Sequence, residues 1–169
     1  MTKLLVSLSL LAASAGFVSA QEIDPQALLV KHLKTSRDFT VKVAEAMPAA
    51  DYSFKLTPPQ YSFGEQLAHL SQGLDYFLAP IEGKQPNPPK VDTNNKDAVI
   101  ALIKSQYDKA IDEVSKLTPE QLHKTYSGEE GSQTGIELIM GMLDHSTHHR
   151  ASAEMYLRAK GIKPPEYEY

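Results

Sequence analysis

The chain has 169 residues, with 17 Lys+Arg against 21 Asp+Glu and a net charge of −4. That length suits one domain with a real core, and the mildly acidic balance argues against a nucleic-acid partner. The sequence holds no Cys, which excludes disulfides, iron–sulfur clusters, covalent c-type haem, thiolate zinc sites and a cysteine nucleophile.

Residues 1–20, MTKLLVSLSLLAASAGFVSA, have the pattern of a secretory signal peptide. Lys3 supplies the positive start, Leu4 to Ala15 the apolar stretch, and Val18-Ser19-Ala20 the small residues a signal peptidase needs. Cleavage after Ala20 leaves residues 21–169 as the mature domain. No other stretch is apolar enough to span a bilayer, so the mature protein is expected to be periplasmic or secreted, without membrane contact. An oxidising compartment is compatible with a chain free of Cys.

Four helices are predicted in residues 21–169. The first starts at Asp24-Pro25, a good N-cap followed by Pro at the first helical position. It runs to about Met47, with Leu29, Leu33, Val43 and Met47 on its seam and Ser36 and Thr40 on the same line. The second opens on the capping box Ser62-Phe63-Gly64-Glu65. Phe63, Leu67, Leu70, Leu74 and Phe77 follow, and the helix is expected to end before Pro80. The third covers roughly Lys96 to Leu117, with Ile100, Ile103, Tyr107, Ala110, Val114 and Leu117 at alternating spacings of three and four. A short turn is expected at Thr118-Pro119-Glu120-Gln121. The fourth long helix begins at the capping box Thr134-Gly135-Ile136-Glu137 and stops at Lys160-Gly161, before Pro164-Pro165.

Nothing alternates with period two over a useful length, so no sheet is expected. The fold class is all-α, a four-helix bundle. Between the second and third helices, Pro80 to Asn94 carries four prolines. Such a loop can reach about 50 Å when extended, more than the roughly 33 Å length of a helix of this size. It can therefore cross the bundle and leave these two helices parallel.

Six His occur: His32, His69, His123, His145, His148 and His149. On the last helix Leu138, Met142, His145, His149, Ala153 and Tyr156 fall in one stripe. His145 and His149 thus take seam positions where a bundle normally places Leu. Imidazoles at i and i+4 can share one metal ion. His148 lies about 100° from His149 and points elsewhere. His69 is the choice for a third ligand, on a second line of its helix with Gln66, Gly73 and Tyr76. His32, beside the first seam, and His123, in an expected loop, are its competitors.

Three neutral imidazoles leave open positions for water, the pattern of a catalytic site. Zinc or nickel suits nitrogen donors best, with manganese and ferrous iron as alternatives. Ser146 follows His145 where an HExxH metalloprotease has Glu. A di-iron bundle would need two Glu-x-x-His motifs, and only Glu120 to His123 matches.

Three stretches carry a family resemblance: Ser62-Phe63-Gly64-Glu65-Gln66-Leu67-Ala68-His69-Leu70, Asp144-His145-Ser146-Thr147-His148-His149-Arg150, and Leu157-Arg158-Ala159-Lys160-Gly161-Ile162-Lys163-Pro164-Pro165. Together they resemble the DinB superfamily of metal-binding helical bundles. The resemblance implies up-down-down-up helix order and a divalent metal on three His, matching His69, His145 and His149. It also implies chemistry of the kind known among relatives, which include S-transferases and an isomerase that use low-molecular-weight thiols. Those thiols are cytosolic, whereas residues 1–20 point to export.

The expected function is that of an exported metal-dependent hydrolase or transferase acting on a small molecule, with metal-bound water or a metal-activated thiol as nucleophile. The alternatives are a non-catalytic metal-binding or stress-related module, and a periplasmic b-type haem bundle with Met142 beside His145. Adjacent His on one helix are awkward for haem, whose axial ligands approach from opposite faces. Tyr76, Tyr156, Ser36 and Thr40 are candidates for the cavity lining. Asp144 lies away from the seam, and Arg150 reads as an ion-paired surface residue. A two-fold homodimer is the default oligomer, though no seam demands one.

Overall fold

The computed structural model describes residues 23–128 and 131–168. The leader-like residues 1–20 lie outside the described residues. Asp24 caps helix α1 (Pro25–Ala46) by accepting the N–H groups of Gln26 at 3.0 Å and Ala27 at 3.3 Å. Leu29, Leu33, Phe39 and Val43 are buried along it, together with Ser36 and Thr40. Beyond Pro48 a single 3₁₀ turn (Ala49–Asp51) leads to Tyr52, whose hydroxyl donates to the Ala44 carbonyl at 2.8 Å.

Helix α2 (Phe63–Glu82) starts at the expected capping box. Glu65 N–H donates to Ser62 Oγ at 3.2 Å, and Ser62 N–H donates to the Glu65 carboxylate at 2.6 Å. The expected end before Pro80 is incorrect, because Pro80 lies inside the last turn. Leu78 and Ala79 are fully buried there, and their packing holds the turn helical at the loss of one N–H bond. Gly83, at φ +66°, then closes the helix. The Lys84 N–H reaches back to the Ala79 carbonyl at 2.9 Å.

Helix α3 (Lys96–Lys116) is capped by Asn95, and the short α4 (Pro119–His123) by a Thr118–Gln121 capping box. His123 therefore ends a helix rather than sitting in a loop. Strands β1 (Thr125–Gly128) and β2 (Gly131–Thr134) pair antiparallel, with Tyr126 opposite Gln133. The expectation of no sheet is corrected by this hairpin. Its residues are mostly polar, and Tyr126 is a lone apolar anchor, donating its hydroxyl to the Gln121 carbonyl at 3.1 Å. Without an apolar alternation the strands leave no period-two trace.

Helix α5 (Gly135–Ala159) begins at the Thr134–Glu137 capping box. Gly135 packs so tightly on α4 that a Cβ there would lie 2.6 Å from the Gln121 carbonyl oxygen. Past the end of α5, Gly161 turns the chain at φ +74°, and Ile162 N–H closes on the Leu157 carbonyl at 2.9 Å.

Contacts along the helices fix their directions. Gln26 bonds the Val114 carbonyl at 3.0 Å while Lys96 bonds the Met47 carbonyl at 2.8 Å, so α1 and α3 are antiparallel. Gly64 abuts Thr93 just before α3, and Asp75 pairs with Lys109 at 2.9 Å farther along, so α2 and α3 are parallel. Gln66 meets His149 and Phe77 meets Gly141, so α5 runs against α2. The order is up-down-down-up, as expected. Helices α1 and α2 each pack on both α3 and α5, which places α1 and α2 on one diagonal.

The proline-rich crossover of residues 83–95 returns the chain to the start of α3. Asp75, 9% exposed, anchors it by accepting the Asn87 N–H at 2.7 Å, and Gln72 donates to the Pro89 carbonyl at 2.9 Å. Among the described residues no helix is long and apolar enough to cross a membrane.

Candidate metal centre

One turn of α5 separates His145 from His149, and both rings turn toward α2. Antiparallel to them, α2 presents His69 from its half-buried flank. The structure brings these three residues together: one nitrogen from each ring lies within 4.8 Å of the others. The ring centroids of His145 and His149 are 4.5 Å apart, and those of His69 and His149 4.6 Å.

Gly73 permits this approach. It stands on α2 one turn after His69, and a Cβ there would lie 2.3 Å from Cε1 of His145. Gln66, one turn before His69, orients the third ring. Nδ1 of His149 donates to Gln66 Oε1 at 2.7 Å, which leaves Nε2 as the nitrogen with a free lone pair. Gln66 and Gly73 lie on the same line as His69 in the sequence, but nothing in residue type alone marks their roles.

Nε2 of His145 and Nε2 of His69 are 3.4 Å apart. That is long for a nitrogen hydrogen bond. It is close to the separation of about 3.3 Å between two imidazole nitrogens on one tetrahedral ion. Nδ1 of His145 is buried without a hydrogen-bond partner among the described residues. Packing alone gives no reason for that ring, since an apolar residue would carry no such cost.

Burial, reinforced by the neighbouring imidazoles, pushes His145 and His149 down to about 4. Burial also lowers His69. All three rings are therefore neutral at pH 7 and offer lone pairs. The donor set and its spacing fit a single transition-metal ion.

The remaining histidines stand apart from the group. His148 is exposed, with its ring 4.9 Å from that of His149 and perpendicular to it. His32 is half-buried on α1, and His123 is exposed at the end of α4. Asp144 is exposed. A cavity of about 740 Å³ opens beside His69 and His145, with Tyr76 in its wall. Tyr61 lies against His69 with ring centroids 5.3 Å apart, and its carbonyl accepts the hydroxyl of buried Tyr156.

Arg150 corrects a sequence-based expectation. It is 5% exposed rather than ion-paired at the surface. Its guanidinium donates to Ser36 Oγ at 2.8 Å and lies 4.7 Å from the centre of the Phe39 ring. Ser36 also meets the Tyr107 hydroxyl at 2.8 Å, and Thr40 donates to the Ser36 carbonyl at 2.6 Å. Ser36 and Thr40 thus form a polar core with Arg150 and are not among the residues of the cavity wall.

No curated protein matches the sequence. Several solved structures share its fold. A DinB-like protein from Bacillus subtilis superposes with a TM-score of 0.72 at 24% identity, covering 83% of this chain and 97% of its own. A DinB-like protein from Bacillus cereus gives 0.71 at 16% identity, covering 82% and 95%. YfiT from Bacillus subtilis, described as a probable metal-dependent hydrolase with an unusual four-helix bundle topology, gives 0.64 at 13% identity, covering 85% and 93%. At these identities the likeness speaks for the fold. The DinB family model matches residues 19–169, which takes in every helix of the bundle and all three clustered histidines, and the chain belongs to the DinB family.

Proposed function

We propose that this protein holds one divalent transition-metal ion on His69, His145 and His149 and acts as a metal-dependent hydrolase or transferase. The observation that supports this reading is the convergence of three neutral imidazoles, with nitrogens within 4.8 Å of one another, beside a cavity large enough for a small molecule. Zinc or nickel suits the all-nitrogen donor set. When bound, the ion would supply Lewis acidity and lower the pKa of water or of a thiol.

The chain's own residues do the rest. Gln66 fixes the direction of His149, Gly73 makes room for His145, and burial keeps the rings deprotonated. Two of these rings are 4.5 Å apart on one helix, which does not suit a haem held between axial ligands. The description of YfiT agrees with this reading.

Residues 1–20 support export to the periplasm or beyond, where cytosolic thiols are not at hand and hydrolysis is the favoured chemistry. Elemental analysis of protein purified without chelator or affinity-tag metal tests the reading. About one equivalent of a transition metal is expected, and a metal-free protein that takes up none on addition would overturn it. N-terminal sequencing is expected to find a mature start at Gln21.

A further inference from the structure

We propose that residues 85–90 of the crossover form a hinged strap that gates the cavity beside the histidines, with the Asp75 carboxylate as its latch. Treating the histidines as the gated site rests on the reading above; the hinge and the latch do not. Pro86 and Pro88 stand in the cavity wall together with His69 and His145. Lifting the strap therefore removes one wall of the chamber that holds two of the three clustered rings.

The sequence makes this stretch stiff and poorly tied. Pro86, Pro88 and Pro89 fix their own φ and lack N–H groups, and each holds the residue before it in extended backbone. Within residues 86–89, Asn87 thus carries the only backbone donor. No residue from Gln85 to Lys90 is buried, so apolar burial gives the stretch little hold. Among the described residues two hydrogen bonds tie it to the bundle. Asn87 N–H donates to Asp75 Oδ2 at 2.7 Å, and Gln72 Nε2 donates to the Pro89 carbonyl at 2.9 Å.

The ends of the strap can absorb its movement. Gly83 stands at φ +66° with open space where a Cβ would be, so its backbone turns without meeting a neighbour. Beyond exposed Lys90, Val91 packs against the core and Thr93 abuts Gly64. The stretch between lifts as one piece while both flanks stay docked. Asp75, 9% exposed, divides its carboxylate to hold it. Oδ1 accepts from Lys109 of α3 at 2.9 Å, and Oδ2 accepts from the strap. Glu82 pairs with both Lys109 and Lys84 at 3.6 Å, so two acids and two ammonium groups balance. Opening therefore breaks two hydrogen bonds and leaves Asp75 with its cationic partner. Such a cost belongs to local opening rather than to unfolding.

The test is amide hydrogen exchange by NMR on the EDTA-treated full mature chain, with diethyl pyrocarbonate modification of its histidines read by mass spectrometry. The Asn87 amide is expected to exchange at least about tenfold slower than an unstructured amide, yet at least about a hundredfold faster than that of Ile103 in the core. Asp75→Ala is expected to speed Asn87 exchange about tenfold, and Gln72→Ala, which leaves the ion pairs intact, about threefold. Asp75→Asn, whose amide oxygen can still accept, keeps most of the protection. In both alanine variants, modification of His69 and His145 is expected to rise in step with Asn87 exchange, while exposed His123 is modified as in the parent. Ile103 exchange reports on the fold, and should Asp75→Ala lose that protection, Gln72→Ala decides alone. An Asn87 amide as slow as Ile103, or as fast as an unstructured one, overturns the strap. Faster Asn87 exchange with unchanged His69 and His145 modification overturns the gate. Both measurements are made without metal, so this inference and the metal reading fail separately.

Discussion

Gln66 Oε1 accepts a hydrogen bond from Nδ1 of His149 across the α2–α5 interface at 2.7 Å. The bond selects the tautomer that leaves the Nε2 lone pair free, and it holds the ring against rotation. Partners of this kind commonly matter about 10- to 100-fold to metal affinity. Gln66→Leu is therefore expected to weaken metal binding within that range while circular dichroism shows unchanged helicity. Gln66→Glu, which can still accept the bond, should retain most of the affinity. Competition with a chromophoric chelator measures both.

Gly73→Ala is expected to cost metal binding more than it costs stability. The new Cβ would lie 2.3 Å from Cε1 of His145, so the ring must move. The methyl group also removes the glycine penalty of about 1 kcal/mol in a helix interior, offsetting part of the strain. Metal affinity should fall at least about tenfold, with a smaller loss on the urea unfolding midpoint. Normal affinity in this variant would show that His145 is not held where the site needs it.

Alanine at His69, His145 or His149 should each sharply reduce metal stoichiometry, since three ligands leave little redundancy. His148→Ala should leave it near that of the parent, because the His148 side chain is exposed and outside the cluster. Elemental analysis after gel filtration separates the two classes. Loss of metal in His148→Ala together with retention in His145→Ala would reverse the assignment.

The metal-free protein should lose stability on mild acidification. His145 and His149 stand at about 4 when folded, against about 6.5 for an exposed imidazole. Between these values the unfolded chain binds more protons than the folded one. Their contribution to stability is thus complete above about pH 6.5 and is lost as pH falls toward 4. Urea midpoints taken from pH 7.5 to 4.5 should decline, and the decline should shrink in His145→Leu. Bound metal should make the fall with acid steeper, because protons then compete for the same nitrogens.

Arg150→Ala is expected to destabilise the fold by about 2–4 kcal/mol, since it opens a void and leaves the Ser36 and Tyr107 hydroxyls to pair without it. Arg150→Met should cost less, because it refills much of the volume without burying a charge. Chemical denaturation of both variants checks the order.

The helical frame was legible because its signals are local. Ser62 with Glu65, and Thr134 with Glu137, announce helix starts within four residues. His145 and His149 were legible for the same reason, as polar residues interrupting a leucine-like stripe. What escaped depends on neighbours remote in sequence. Pro80 looks like a terminator until the buried Leu78 and Ala79 are seen. Arg150 looks like a surface residue until α1 supplies Phe39 and Ser36. Gln66 is an ordinary polar residue until α5 places a ring against it. The hairpin lacks the apolar alternation by which strands are recognised, because its contacts are made by Tyr126 and the backbone.

The separation of 76 positions between His69 and His145 has a kinetic consequence. Both the crossover and the hairpin lie between them, so the loop that joins the two rings closes only after most of the chain has been synthesised and threaded into place. Closing so long a loop is entropically slow to begin. A metal on the proposed site would therefore be a late arrival that locks a finished bundle rather than a nucleus that starts one. Refolding with and without added zinc should then give the same folding rate, and the ion should act on the unfolding limb alone.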